Sequence, residues 1–389
     1  MQHKHAVVQR APNVTQQQCA QRSFVCHTRS PVAVRAAASD SSVPAVPEEK
    51  PLTDPLEIGA SKIFGAKLAP QVVTLGFIAL WYALNIGFNL LNKSIFKYFN
   101  YPWTVSTVHV IVGLFYCVVV YLLGFKNASF GRVITKKEFT TIAGPASMHA
   151  IGHIAANLSF AAVAISLTHT VKTLEPAFNV ILAKLILGEA TPLPAMLSLI
   201  PIMAGVALAS AGELSFNWTG FLTAMASNLT FGFRAVWSKR AMTKDISSTS
   251  LYAYTTLISV LICVPLALAA EGSTLVAGAT AAIAKVGATK FWLDLLGVGV
   301  MYHLYNQFAF NTLQRVSPVS HGVCNVVKRV AIIISSVFFF NQVLTTQTML
   351  GTVIALGGTW LYTETSSKHK HAKPAAEEPP AGNLTPKAA

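Results

Sequence analysis

Charge is what this sequence has least of. Only 11% of its 389 residues are Asp, Glu, Lys or Arg, against about 25% in a typical soluble domain. Acids are scarcer still, 15 against 29 Lys and Arg, which leaves a formal net charge of +14. A soluble enzyme of two or three domains is excluded on these grounds, because apolar runs of about 20 residues recur from Gln71 to Tyr362 and leave no room for a separate globular domain. Cysteine is sparse as well. Cys19, Cys26, Cys117, Cys263 and Cys324 form no CxxC pair, and the last three lie in apolar runs. They read as small packing residues, neither disulfides nor metal ligands. HExxH, GxSxG and paired carboxylates are missing, so an enzyme embedded in the membrane has no candidate constellation, and no cofactor or metal is implied.

What is present is hydrophobicity, 53% of residues with a mean hydropathy of +0.51. The runs predict an all-α integral membrane protein with ten transmembrane helices, at roughly 71–93, 103–124, 139–164, 167–187, 191–211, 217–238, 248–270, 289–312, 317–341 and 345–363. Its expected partners are membrane lipids and no nucleic acid, since the basic residues gather in the connections. Lys126, Arg132, Lys136, Lys137, Lys239, Arg240, Lys244 and Arg315 fall on the side of both termini, and Lys93, Lys97, Lys285 and Lys290 on the other. The positive-inside rule puts the termini on the side of insertion.

The first 35 or so residues contain Lys4, Arg10, Arg22, Arg29 and Arg35 before the first acid, Asp40, and have no apolar signal core. That composition is an organelle transit peptide over 1–35, with a processing point near Arg35 and Ala36; a disordered tail is the alternative. Residues 36–68 read as a flexible lead-in, 69–364 as the ten-helix membrane domain, and 365–389 as a disordered tail.

An internal repeat organises the domain. The stretch ending at Leu197 superposes without a gap on the stretch ending at Leu350, which sets Gly205 on Gly358, and NIGFNLLNK (from Asn85) matches TFGFRAVWSK (from Thr230). Two five-helix halves follow, about 69–211 and 217–364. Five being odd, the second half is inverted, an arrangement that places substrate at the midplane between repeats. A channel could share the duplication.

Lys172, Lys328 and Arg329 are charges inside apolar runs, where each costs about 2.5 to 3.5 kcal/mol on the insertion scale. Lys172 is only one turn into its predicted helix, so snorkelling remains open for it. Lys328 and Arg329 lie about 11 residues in, roughly 16 Å from the helix start and too deep for that. Being adjacent, they project about 100° apart. The one nearby acid, Glu175, is one turn from Lys172 and could pair with it within the helix. A network of salt bridges would then fail for want of carboxylates, and a phosphate dianion fits the surplus charge. His153 and Asn157 share a face four residues apart, Tyr305 and Asn306 lie in the eighth helix, and Arg234 in the sixth. Each is as easily a satisfied packing residue.

These motifs resemble the plastid phosphate translocators, a branch of the drug/metabolite transporter superfamily. The likeness runs from Leu75 to Tyr362 and is carried by WYALNIGFNLLNKSIFKYFNYPW, NLSFAAVAISLTHTVKTLEPAF, SNLTFGFRAVWSKRAM, LYNQFAFNTLQRVSPVSH and NVVKRV. It implies the drug/metabolite transporter fold, phosphate binding by Lys172, Lys328 and Arg329, and substrate contacts from His153 and Tyr305. Ala156 stands where the family often has Thr or Ser. VSTVHVIVGLFYC, FNTLQRV and His321 look like the triose-phosphate branch, whereas VKRVAIIISSVFFF also looks like the phosphoenolpyruvate branch. The implied activity is antiport at the chloroplast inner envelope, exchanging triose phosphate or 3-phosphoglycerate for inorganic phosphate, with the termini in the stroma. A phosphoenolpyruvate or broader sugar-phosphate translocator is the alternative. Carriers of nucleotide sugars share the superfamily, an anion channel would share the basic lining, and a monomer could suffice.

Overall fold

The computed structural model describes residues 55–188, 190–241, 248–316 and 318–372. The expected transit peptide lies outside the described residues, as do the lead-in before residue 55 and the tail beyond 372. The regular structure described is helical throughout. It comprises α1 (Pro55–Phe64), α2 (Ala69–Phe96), α3 (Pro102–Leu122), α4 (Lys136–Ala162), α5 (Ile165–Val171), α6 (Glu175–Leu187), α7 (Leu193–Leu197), α8 (Leu199–Gly212), α9 (Trp218–Ala241), α10 (Ser248–Val286), α11 (Ala288–Arg315), α12 (Pro318–Phe340) and α13 (Thr346–Ala372).

Length and composition qualify five stretches to cross a membrane: Ala69–Phe96, Pro102–Leu122, Leu193–Gly212, Thr249–Val286 and Ser320–Phe340. Large apolar side chains are exposed along them, including Phe115 at 68%, Leu268 at 60% and Phe338 at 78%, a surface that only lipid would cover. The other long helices are less apolar because they carry buried polar groups inward, among them His149, His153 and Asn157 on α4 and Ser227 and Asn228 on α9.

Four expectations are corrected. The lead-in contains α1, whose Glu57 forms a 2.8 Å ion pair with Arg315 at the end of α11. The C-terminal helix continues past residue 364 to Ala372. The predicted fourth helix is broken, because Pro176 has no N–H to donate back to Lys172; a 3-10 turn at Lys172–Leu174 closes the gap, with Glu175 N donating to the Lys172 carbonyl instead. Finally, α10 runs to Val286 rather than stopping near residue 270. Its second half is rich in Ala, Gly, Ser and Thr, which weakens the apolar signal without breaking the helix.

That second half has a partner. The amides of Trp103 and Thr104, in the first turn of α3, have no acceptor within their own helix. The Glu271 carboxylate of α10 takes both, at 3.1 and 2.8 Å, and Tyr101 donates to the Thr274 carbonyl at 3.0 Å. The α2–α3 turn is thereby splinted to α10. Beneath it lies the main apolar core, with Phe88, Phe96, Phe99, Phe160, Phe291 and Tyr302.

Packing between helices is reciprocal. Helix α4 lies along α9 as α2 lies along α11, α6 meets α9 as α12 meets α2, and α4 meets α10 as α3 meets α11. Two further pairs, α3 with α10 and α8 with α13, join equivalent positions. In the α8–α13 seam the order of contacts runs in opposite senses, Gly358 meeting Ile202, Gly351 meeting Ala209 and Gln347 meeting Gly212, so the two helices are antiparallel. Gly205 and Gly358, which the repeat superposes, both lie in it.

The seam has no room for side chains. A Cβ added to Gly351 would stand 2.3 Å from the Ala209 amide nitrogen and 2.6 Å from the Gly205 carbonyl oxygen, and neither backbone atom can swing away. Gly351→Ala is therefore expected to lower the thermal unfolding midpoint in detergent by several degrees. Gly357→Ala, with nothing within 4 Å of the new Cβ, should leave it unchanged or raise it.

Candidate functional site

The break between α5 and α6 leaves Lys172 on a turn between two short helices, and its Nζ reaches α9. There it donates to Ser227 Oγ at 2.9 Å and lies 4.5 Å from the centre of the Phe231 ring. Asn228 braces the same junction by donating to the Val171 carbonyl at 2.8 Å. On α12 the arrangement is repeated. Lys328 donates to Asn325 Oδ1 at 3.1 Å and lies 4.7 Å from the centre of the Trp81 ring of α2. Both lysines thus rest on aromatic faces, a weak attraction of about 0.5 to 2 kcal/mol that holds a cation without neutralising it. Neither has a carboxylate partner among the described residues.

Glu175 pairs elsewhere than expected. It takes a 2.8 Å hydrogen bond from Arg329 Nη2 across the gap between α6 and α12, not one from Lys172. The start of the 3-10 turn carries Lys172 toward α9, while Glu175 opens α6 facing α12. One cation of the three is therefore matched inside the protein, and two are left over.

The three cations line one cavity of about 470 Å³, together with every other residue singled out from the sequence: His153, Ala156, Asn157, Arg234, Tyr305, Asn306 and His321. Arg234 can only donate, so its 3.3 Å contact makes His149 Nδ1 an acceptor. His149 Nε2 then carries the proton and donates to the Tyr302 hydroxyl at 3.1 Å. His153 lies against the same tyrosine with ring centres 4.1 Å apart and the planes tilted by 32°, and its Nε2 stands 3.2 Å from His109 Nδ1. The Asn157 amide touches the His153 ring at 3.3 Å, and its oxygen accepts from Asn92 at 2.7 Å. Tyr305 packs edgewise between Phe88 and Tyr302, Asn306 donates to the Tyr302 carbonyl, and His321 stacks on Trp81 with the planes 9° apart. Trp81, Asn85, Asn89, His149, His169 and Phe231 also line the cavity and were missed. They are neutral, and only the spacing of Asn85, Asn89 and Asn92 along one face of an apolar helix could have drawn attention to them.

The lining continues through Phe310, His321 and Thr363, toward the end where α11 stops and α12 begins. The opposite end is tied shut. Lys93 of α2 takes the Phe160 and Val163 carbonyls at the end of α4 at 2.7 and 2.9 Å, satisfying acceptors that the helix leaves over. Ser166 reaches Gln342 at 3.3 Å and Thr345 reaches the Gly212 carbonyl at 2.8 Å, closing the same end.

The sequence is that of a known group. The model of the Triose-phosphate Transporter family matches residues 72–363. The chain belongs to that family. Among curated members it is 47% identical over 305 residues to the chloroplastic triose phosphate/phosphate translocator of Spinacia oleracea, covering 78% of this chain and 74% of the relative. It is 49% identical over 295 residues to the protein of the same description from Pisum sativum, covering 75% and 72%. The chloroplastic glucose-6-phosphate/phosphate translocator 2 of Arabidopsis thaliana is 38% identical over 291 residues, covering 74% of each chain. The Triose-phosphate Transporter relatives named here are translocators rather than enzymes.

The Arg329–Glu175 pair is accessible to 14% and 26%, so its loss should be felt. Glu175→Gln is expected to destabilise the protein by roughly 1 to 3 kcal/mol, read as a lower unfolding midpoint in detergent. Adding Arg329→Met should restore most of the loss, because removing both partners leaves no lone charge.

Proposed function

We propose that this chain is a chloroplast inner-envelope antiporter exchanging triose phosphate or 3-phosphoglycerate for inorganic phosphate. The observation that carries the reading is the charge balance of the cavity: Lys172, Arg234, Lys328 and Arg329 line it, and Glu175, paired with Arg329, is the one carboxylate among the lining residues. Arg supplies a planar fork and the lysines compact charges, the donor set that suits a phosphate dianion. The names of the relatives, triose phosphate/phosphate and glucose-6-phosphate/phosphate translocators, support the choice of anion. His153 and Tyr305, with Asn157, Arg234, Ala156, Asn306 and His321 behind them, would then surround the carbon skeleton.

Obligatory exchange follows from electrostatics. Closing both ends over two unmatched ammonium groups costs several kcal/mol for each. Bound dianion removes most of that cost, so only the loaded carrier crosses between inward- and outward-open states. The moving parts in this reading are two five-helix repeats, inverted and ten-spanning, with the broken α5–α6 segment and α12 facing each other at the pseudo-two-fold axis. The reciprocal packing described above supports it. The basic connections on the side of the termini support a stromal orientation for both ends, and a monomer suffices.

The test is counter-exchange in liposomes loaded with phosphate. Uptake of labelled phosphate, triose phosphate and 3-phosphoglycerate should require internal counter-substrate, with phosphoenolpyruvate and glucose 6-phosphate in the panel to set the range. Lys172→Gln, Lys328→Gln and Arg329→Gln should each reduce exchange at least tenfold. Fast uptake by Lys328→Ala into empty liposomes, with affinity retained, would overturn the coupling mechanism while leaving the site standing. No dependence on any phosphorylated anion would sink the whole reading.

A further inference from the structure

A second cavity, of about 370 Å³, lies between α6, α8 and α9. It shares a wall with the basic one: Leu174 lines it, while Lys172 and Glu175 on either side in the sequence line the other. No charged side chain lines it. Leu174 and Val206 in its lining are buried, whereas Ile181, Met203 and Trp218 are exposed, so it is a groove open to the outside of the bundle. The lining follows the helices lengthwise. Met203, Val206 and Ser210 on α8, and Trp218, Phe221 and Met225 on α9, each stand at i, i+3 and i+7, one face over two turns. The groove is therefore about 10 Å long and parallel to the helix axes. At the end next to the α8–α9 connection, Phe216, Trp218 and Phe221 pack on one another with ring centres 5.3 to 6.0 Å apart. An exposed tryptophan in such a group is suited to the edge of a bilayer.

The surroundings decide what fills it. Helix α8 belongs to one of the stretches that qualify to cross a membrane, and the exposed rim continues the apolar surface that lipid covers. Water in the groove would lack the polar partners that hold a buried water, and a void would leave the walls without contacts on one side. An apolar slot lying along a spanning helix is aligned with the hydrocarbon chains around it. We propose that this groove is a binding site for one acyl chain of a membrane lipid, lodged between α6, α8 and α9 and retained there while the lipid around the helices exchanges. The site is separate from the basic cavity and does not depend on which anion is carried.

The experiment is photolabelling of the full chain in liposomes containing a phosphatidylcholine with a diazirine on its acyl chain, read residue by residue by mass spectrometry of the peptides. Lipid that merely surrounds the helices labels in proportion to exposure, so the exposed Phe115 and Leu268 would exceed the half-buried Phe221 and Met225. A lodged chain reverses that order, with about threefold more label on Phe221 and Met225. Ala207→Phe, which fills the groove from α8, should bring back the order set by exposure. Labelling by exposure alone in the unmodified protein overturns the proposal, as does an unchanged excess in a folded Ala207→Phe. So does efficient disulfide formation between copies carrying Met203→Cys, absent from the unmodified chain, since a second copy would then cover the groove. If Ala207→Phe does not fold, the labelling order in the unmodified protein decides alone.

Discussion

A part-buried ammonium group with no carboxylate hydrogen-bonded to it is the constraint around which this protein is arranged. Bulk water would stabilise Lys172 and Lys328 at little cost; the wall of a half-enclosed cavity does so less well. What the fold offers instead is partial relief: a hydroxyl from Ser227, an amide oxygen from Asn325, and the faces of Phe231 and Trp81. These contacts are strong enough to keep the side chains ordered and too weak to discharge them. Arg329 differs, being held by Glu175. Arg329 is matched, while Lys172, Lys328 and Arg234 line the cavity with neutral partners, so the lining carries an excess of positive charge.

Supporting groups are arranged to serve that condition. The break at Lys172–Leu174 follows from Pro176. It sends Lys172 toward α9 and Glu175 toward α12, a divergence that a continuous helix would not allow. Around the pocket, Arg234, His149 and Tyr302 form one chain of hydrogen bonds, and Asn92, Asn157, His153 and His109 another. Such networks are stiff when satisfied; the first is continuous from Arg234 to Tyr302, while in the second Asn92 Oδ1 and His109 Nε2 have no hydrogen-bond partner.

Much of this was legible in the residues. Lys172, Lys328 and Arg329 stand out because charge in an apolar run is costly wherever the helix lies, and the helices near them fall close to their expected bounds. The partner of Glu175 was not legible: sequence offers the neighbour one turn away, and only tertiary packing brings Arg329 across from α12. Asn89 and His169 escaped for a related reason. A neutral polar residue in an apolar helix is ordinarily satisfied by packing, and the 2.9 Å contact between Asn89 and His169 exists only once α2 and α5 are in place. The outer half of α10 was missed because Gly272, Gly278 and the alanines around them lower hydropathy, although nothing in that composition stops a helix.

That outer half has a mechanical consequence. At 1.5 Å per residue the 39 residues of α10 extend about 58 Å. Even tilted by 40° they would project about 44 Å, against roughly 30 Å of hydrocarbon. Pro265 interrupts the hydrogen-bond ladder of α10 near its middle, Glu271 ties the helix to the start of α3, and beyond that Leu275, Ala279, Ala282, Ile283 and Val286 pack on the apolar core. A shift of α3 would thus be felt by this outer half. Val276, 79% exposed on that arm, is therefore a natural place for a spectroscopic label to report motion that the cavity itself conceals.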